Sequence, residues 1–196
     1  ELKEDLLRVN GDNREQGPYD ISPASIARRS LRNLALGYLM QLDDPLVTEL
    51  CVGQYRDGHN MTDVITALGL IAHSEAKERE ELLDDFYQRW SDDPLVLDKW
   101  FTVQAISKRG DTIGSVKKLM QHPGFNIRNP NKVRALIGAF CGGNPNHFHA
   151  GDGAGYELLG DAVRQLDPLN PQIAARLLRL MARWRRYDER RQQLMK

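Results

Sequence analysis

The chain has 196 residues and a mass of 22.3 kDa, which suits one domain or two small ones. With 41% hydrophobic and 28% charged residues it can build a sizeable core, which excludes a disordered chain. Lys plus Arg (27) balance Asp plus Glu (27), so global charge gives no argument for nucleic acid or an anionic membrane. No run approaches the ~18 apolar residues of a membrane span.

The segment Glu1-Leu2-Lys3-Glu4-Asp5 lacks the basic-then-apolar order of a secretory signal. No Met opens the chain, so it is expected to be processed or cut from something longer. Residues 1–21 read as a lead-in segment. From 22 to 196 the apolar spacing is helical almost throughout.

Ser22-Pro23 is an N-cap with proline at the first helical position and opens a helix to about Gln41. Its apolar face is expected to comprise Ile26, Leu31, Leu34, Leu36, Tyr38 and Leu39. Asp44-Pro45 opens the next, with Val47, Leu50, Cys51 and Tyr55 inward, and Asn60 caps a third through Ile71. A charged helix from about Glu75 to Trp90 carries Leu82, Leu83, Phe86 and Trp90. Pro94 starts another through Ile106, and Asp111 or Thr112 caps one ending near Gln121. Asn129-Pro130 opens one ending near Phe140, and Asp152 caps one to about Leu166. Asn170-Pro171 begins a last pair that reaches about Met195.

No alternating strand pattern interrupts this series, so the fold class is all-α. Asp43-Asp44-Pro45-Leu46-Val47 recurs letter for letter as Asp92-Asp93-Pro94-Leu95-Val96, with an apolar anchor in each, and Asp167-Pro168-Leu169-Asn170-Pro171 is a looser echo. Helix-start chemistry alone could write such a repeat. Short helices at steady spacing nevertheless predict stacked helical pairs, an α-α superhelix of the armadillo/HEAT-like solenoid type, with an irregular bundle as the alternative.

Charge is uneven along the chain. Residues 75–98 hold nine acids and three bases, whereas 164–196 hold nine bases and three acids. These read as solvated helix faces, or as segments that dock on each other or on a partner. Nucleic acid is not expected, because the basic stretch lacks a recognised fold motif or aromatic platform.

Chemistry-bearing motifs are scarce. Cys51 and Cys141 lie within apolar helical patterns, so neither a disulfide framework nor a metal knuckle is expected, and a reducing, cytoplasmic setting follows. His147, His149 and Asp152 are the one group resembling metal ligands, but the surrounding turn and the capping use of Asp152 favour a structural loop. Gly151, Gly153 and Gly155 could cradle a phosphate, yet no strand precedes them, and close packing or positive φ is the better use. Gly-x-Ser-x-Gly and His-Glu-x-x-His are both absent from the sequence. Arg134 and Arg176 sit on the shoulders of two apolar helix faces. Each guanidinium either lies in water over the core or faces a concave cavity, where it could hold a carboxylate or a carbonyl.

Several segments are specific together, though none is alone. Asn129-Pro130-Asn131-Lys132-Val133-Arg134-Ala135-Leu136-Ile137-Gly138-Ala139-Phe140 is followed by Asn144-Pro145, Phe148-His149, Asp152-Gly153, Gly155-Tyr156, Asn170-Pro171-Gln172 and Arg186-Tyr187-Asp188. Together with Asn33-Leu34-Ala35-Leu36 and Leu97-Asp98-Lys99-Trp100-Phe101 upstream, this resembles the C-terminal helical domain of bacterial aminopeptidase N, a gluzincin zinc metallopeptidase. The resemblance covers most of the chain. It implies a broad-specificity enzyme whose zinc is held by a His-Glu-x-x-His helix and a downstream glutamate, none of which occurs here.

By that resemblance the chain is a non-catalytic cap that encloses the active-site cavity and controls peptide access. Its partners would be the upstream catalytic domain of the same polypeptide and the peptide substrates. Zinc would belong to the full-length enzyme, with none bound by this chain, which alone would be inactive. Arg134 and Arg176 match the two family arginines that line the substrate cavity. The chain stops before the family's last helices, so apolar surface would be left open and an oligomer or a sticky monomer is expected. The alternatives are a free-standing helical-repeat scaffold that binds proteins and, more remotely, a metal hydrolase built on His147, His149 and Asp152.

Overall fold

The computed structural model describes residues 1–15 and 17–196. Among these residues the regular structure is helical and contains no strand. Free amide groups at a helix start must find oxygen acceptors, and here the expected caps supply them. Asp44 accepts the Leu46 N–H at 2.9 Å, Asn60 that of Asp63 at 2.9 Å, and Asp93 that of Leu95 at 3.0 Å. Ser22, Asn129, Asn144, Asn170 and Asp188 cap in the same way. Proline follows all of these caps except Asn60 and Asp188, where its fixed φ suits the first turn.

The chain divides into two compact units, Glu1–Asp84 and Asp85–Lys196. The first holds α1 (Leu2–Asp12), α2 (Pro23–Leu39), α3 (Pro45–Arg56) and α4 (Met61–Ala72), and the division falls within α5 (Arg79–Trp90). Residues 1–21, read from sequence as a lead-in, thus contain a helix, and α1 lies along α2. In turn α2 meets α4, and α3 pairs with α4.

Two expectations for this unit are corrected. Ile26, Leu31, Leu34 and Tyr38 are exposed; α2 buries Ser25, Arg29, Ala35, Leu36 and Leu39 instead. The polar members of that row are tolerated because they find partners, with Arg29 held by Glu15 at 2.7 Å. The charged helix starts at Arg79 rather than Glu75. Ser74 bends the chain after α4 by accepting the Ala76 N–H at 3.2 Å, and the Arg79 Nε donates to the Ala72 carbonyl at 3.3 Å. In the repeated pentapeptide, Leu46 and Leu95 are 71% and 67% exposed; Val47 is the buried anchor of the first copy, and in the second Val96 is half-buried and the next residue, Leu97, is buried.

The second unit holds α6 (Pro94–Ala105), α7 (Thr112–Leu119), α8 (Pro130–Val133), α9 (Ala139–Gly143), α10 (Pro145–Phe148), α11 (Ala154–Leu166), α12 (Pro171–Leu178) and α13 (Glu189–Leu194). A π-turn over Arg134–Gly138 joins α8 to α9, so 130–143 is one continuous helix. Its buried row of Val133, Leu136, Ile137 and Phe140 lies against α6 and Phe148. Lys132 is buried as well, its ammonium held by Asp98 at 2.7 Å and the Pro94 carbonyl at 2.8 Å. The expected last helical pair is broken instead. Beyond α12 the chain makes single 3₁₀ turns at Arg179–Met181 and Trp184–Arg186 before Asp188 caps α13. The arrangement is an all-α helical-repeat fold.

Asp63 is the best-connected buried charge in the first unit. It pairs with Arg32 at 2.8 Å and accepts from Asn33 at 2.9 Å, while Gln54 bridges Asn33 and the Asp63 carbonyl. Replacing Asp63 by Ala strands the Arg32 guanidinium away from water. Urea unfolding of that variant is expected to show a loss of about 3–5 kcal/mol.

Candidate functional site

Arg134 is placed by its neighbours. Lys132 and Val133 point inward, and the π-turn that begins at Arg134 keeps Ala135, Leu136 and Ile137 buried in succession. A π-turn disturbs the regular backbone ladder, and Thr102 compensates by donating its hydroxyl to the Ala135 carbonyl at 3.0 Å. Arg134 is thereby left on the exposed side of the helix. Its Cγ and the Leu177 Cδ2 flank Gly138, at 3.7 and 3.9 Å from where a Cβ would stand.

Leu177 is the buried anchor of α12, and Arg176 precedes it on the exposed side. The contact at Gly138 therefore brings together the two helices that carry Arg134 and Arg176. Neither guanidinium has a hydrogen-bond or ion-pair partner among the described residues. Arg179, Arg183, Arg185 and Arg186 continue the exposed basic surface after Arg176, and Arg185 lies over the Trp184 ring at 5.2 Å. Such a surface can bind carboxylates or carbonyl oxygens by charge-assisted hydrogen bonds.

The histidine group is structural. His149 Nδ1 lies 3.0 Å from the Tyr156 hydroxyl and Nε2 lies 2.9 Å from that of Tyr187, so both ring nitrogens are engaged. The Tyr187 ring stacks on the imidazole at 4.4 Å, and Arg191 Nε donates to the His149 carbonyl at 2.7 Å. His147 reaches the Lys108 carbonyl at 3.3 Å, and Asp152 accepts the Ala154 N–H at 3.0 Å. This counts against the metal-hydrolase alternative, because both ring nitrogens of His149 are held by tyrosines and Asp152 is used at the start of α11. No group of three His, Cys, Asp or Glu side chains among the described residues has a metal-binding arrangement. The zinc of the resemblance therefore has no donor set among the described residues.

The glycines near this clasp serve close approach. A Cβ on Gly155 would sit 2.4 Å from the Phe148 carbonyl oxygen, and Gly153 has φ +80° with Leu194 packed over it. Sequence reasoning also passed over a cavity of about 220 Å³ in the first unit, lined by Arg14, Tyr19, Gln54, Asp57 and His59 and floored by Arg32 and Asp63. Asp63 lies three residues after the cap Asn60, so by pattern it reads only as first-turn charge. Cys51 and Cys141 are buried and free, their thiols pushed up to about 12 by desolvation.

Burial, and then the charge of Arg191, hold the His149 pKa below its usual value of 6.5. Below pH 6.5 the unfolded chain therefore binds more protons at this site than the folded one. The stability that His149 contributes is complete above pH 6.5 and is lost as pH falls through its lower native value. His122, also depressed by burial, acts in the same direction. The fall in Tm between about pH 7 and pH 5 is expected to be smaller in His149→Gln than in the parent, as read by thermal unfolding at each pH.

Comparison with known proteins fits this architecture. A family described as "Domain of unknown function (DUF3458_C) ARM repeats" matches residues 1–196. Aminopeptidase N of Escherichia coli (strain K12) is 38% identical over 196 residues, covering 100% of this chain and 22% of that protein. Aminopeptidase N of Haemophilus influenzae is 40% identical over 195 residues, again with 100% of this chain and 22% of that protein covered. A crystal structure of Legionella pneumophila aminopeptidase A in complex with aspartic acid superposes with a TM-score of 0.90 at 35% identity, covering 99% of this chain and 24% of that one. The chain thus spans about a fifth of the length of its curated relatives, at 22%. Its helix caps, its continuous helix over 130–143 and these similarities place it in the DUF3458_C family of ARM-repeat domains, homologous to the C-terminal domain of aminopeptidase N.

Proposed function

We propose that residues 1–196 are the non-catalytic cap of a broad-specificity zinc aminopeptidase, enclosing the active-site cavity and controlling the entry of peptides. The observation that carries this reading is the pair Arg134 and Arg176. Their helices meet at Gly138, both side chains are exposed, and neither has a hydrogen-bond or ion-pair partner among the described residues. Unpaired guanidinium groups on a rigid helical surface suit the carboxylate and carbonyl groups of a peptide.

Zinc and the attacking water belong, in this reading, to the upstream catalytic domain of the same polypeptide. This chain contributes orientation of the peptide and a wall against solvent. The chain alone is then inactive towards an amino-acid anilide even with zinc supplied. Exposed Leu178, Leu180 and Leu194 support self-association of the chain alone. Two free buried thiols suit a reducing compartment, and we assign the protein to the cytoplasm. Among the described residues no helix is long and apolar enough to cross a membrane.

Steady-state kinetics on the longer polypeptide test the reading. Arg134→Ala and Arg176→Ala are each expected to lose on the order of 1.5–3 kcal/mol of transition-state binding, roughly ten- to a hundredfold in kcat/KM, with Tm little changed. Unchanged kcat/KM with both arginines removed would rule the proposal out.

A further inference from the structure

The cavity in the first unit lies among three helices. Arg32 of α2, Gly53 and Gln54 of α3 and Asp63 of α4 form part of its wall, and it holds about 220 Å³. Two polar atoms of that wall, Arg32 Nε and Gln54 Oε1, are buried without a hydrogen-bond partner. A native fold leaves few such groups, and one donor with one acceptor on a single cavity calls for a reason. Asp63 takes Nη1 of Arg32 at 2.8 Å, which leaves the Nε edge of the guanidinium free. Gln54 is only 4% exposed. Its Nε2 donates to Asn33 at 2.7 Å and to the Asp63 carbonyl at 3.2 Å, so its oxygen is held in place as a fixed acceptor.

Gly53 is an independent sign. It stands inside α3, where glycine weakens a helix relative to alanine, and no atom lies within 4 Å of where its Cβ would be. Packing therefore does not require glycine at this position, and the missing side chain leaves the cavity its room.

We propose that this cavity binds a free α-amino acid. The carboxylate matches the planar Nε edge of Arg32, and the ammonium donates to Gln54 Oε1. The charges on the wall agree. Arg14 and Arg32 stand with Glu15, Asp57 and Asp63, which suits a zwitterion better than a bare anion or a bare cation. Leu50 and Tyr19 offer apolar surface to the ligand's side chain. The volume falls below the roughly 300–1,000 Å³ of sites for drug-sized ligands, so it fits one residue and not a peptide. Free amino acids are what an aminopeptidase releases, so under the cap reading the ligand is a product of the same enzyme. The binding itself does not rest on that reading.

Equilibrium dialysis of radiolabelled L-alanine against the longer polypeptide tests this. At saturation the parent is expected to hold one more alanine per chain than Gly53→Leu, whose side chain fills the cavity. Any alanine held elsewhere is common to both and cancels. The Tm of Gly53→Leu is expected not to fall, since its Cβ meets open space and a helix gains from losing glycine. Arg32→Lys keeps a cation beside Asp63 without the planar edge, and is expected to weaken the same site at least about tenfold. It decides alone should Gly53→Leu not fold. Equal alanine on the parent and on folded Gly53→Leu overturns the proposal, as does parent-like binding by Arg32→Lys. Displacement of the label by acetate as readily as by unlabelled glycine overturns it too, because the site then takes any carboxylate. Dialysis reads binding and not turnover, so a failure here alongside intact arginine effects on kcat/KM leaves the cap reading standing.

Discussion

Short helices live by their ends. A helix of 8–17 residues, such as α7 or α2, leaves a large share of its amide groups without an internal partner, and isolated helices of this length are marginal in water. Here an Asp, Asn or Ser oxygen takes up those amides at most helix starts, and proline commonly pre-sets the first turn. The caps also fix where each chain reversal occurs, so the pairing of α1 with α2 and of α3 with α4 follows from them. Other polar side chains secure helix ends as well. Arg79 donates to the end of α4, and the cap Asn144 also ties the start of α10 to the Ala105 and Ser107 carbonyls at 3.1 and 2.8 Å.

The second unit shows how a local irregularity can orient a functional side chain. An uninterrupted α-helix over 130–143 would bring successive residues round at a constant angle. The π-turn at Arg134–Gly138 changes that angle within one turn, and Thr102 supports it from α6. Burial of Lys132 against Asp98 fixes the helix on the other side. Arg134 then stays in solvent near α12, whose exposed residues include Arg176. Gly138 marks the contact, since a Cβ there would lie at ordinary van der Waals distance from both the Arg134 stem and Leu177.

The His149 clasp does a different job. It joins the loop before α11 to α13 through two tyrosine hydroxyls and the Arg191 contact, with Leu194 closing over Gly153. An imidazole held between tyrosines in a partly dry site is favoured neutral, which makes it a poor acid at physiological pH and a good structural link. The same histidine has the spacing of a metal ligand in the sequence, and only the tyrosines that reach it decide its role.

By itself, the sequence determined the all-α class, the starts of α2, α3, α4, α6, α8 and α12 and the anchors Val47, Leu97, Leu136 and Phe140, because caps and 3.6-residue periodicity are local signals. It also marked Arg134 and Arg176 as placed off the buried rows. It misplaced the buried face of α2, since two rows of that helix carry apolar residues and only the packing of α1 and α4 selects between them. The break after Leu178, the π-turn and the Asp63 network were likewise invisible, each being set by partners distant in sequence: Asp63 by Arg32 and Asn33, the π-turn by Thr102, the last segment by His149. Periodicity reports that a side chain is apolar and on which row of its helix it lies. Which row meets protein and which meets solvent is decided by elements that come together only in the folded chain.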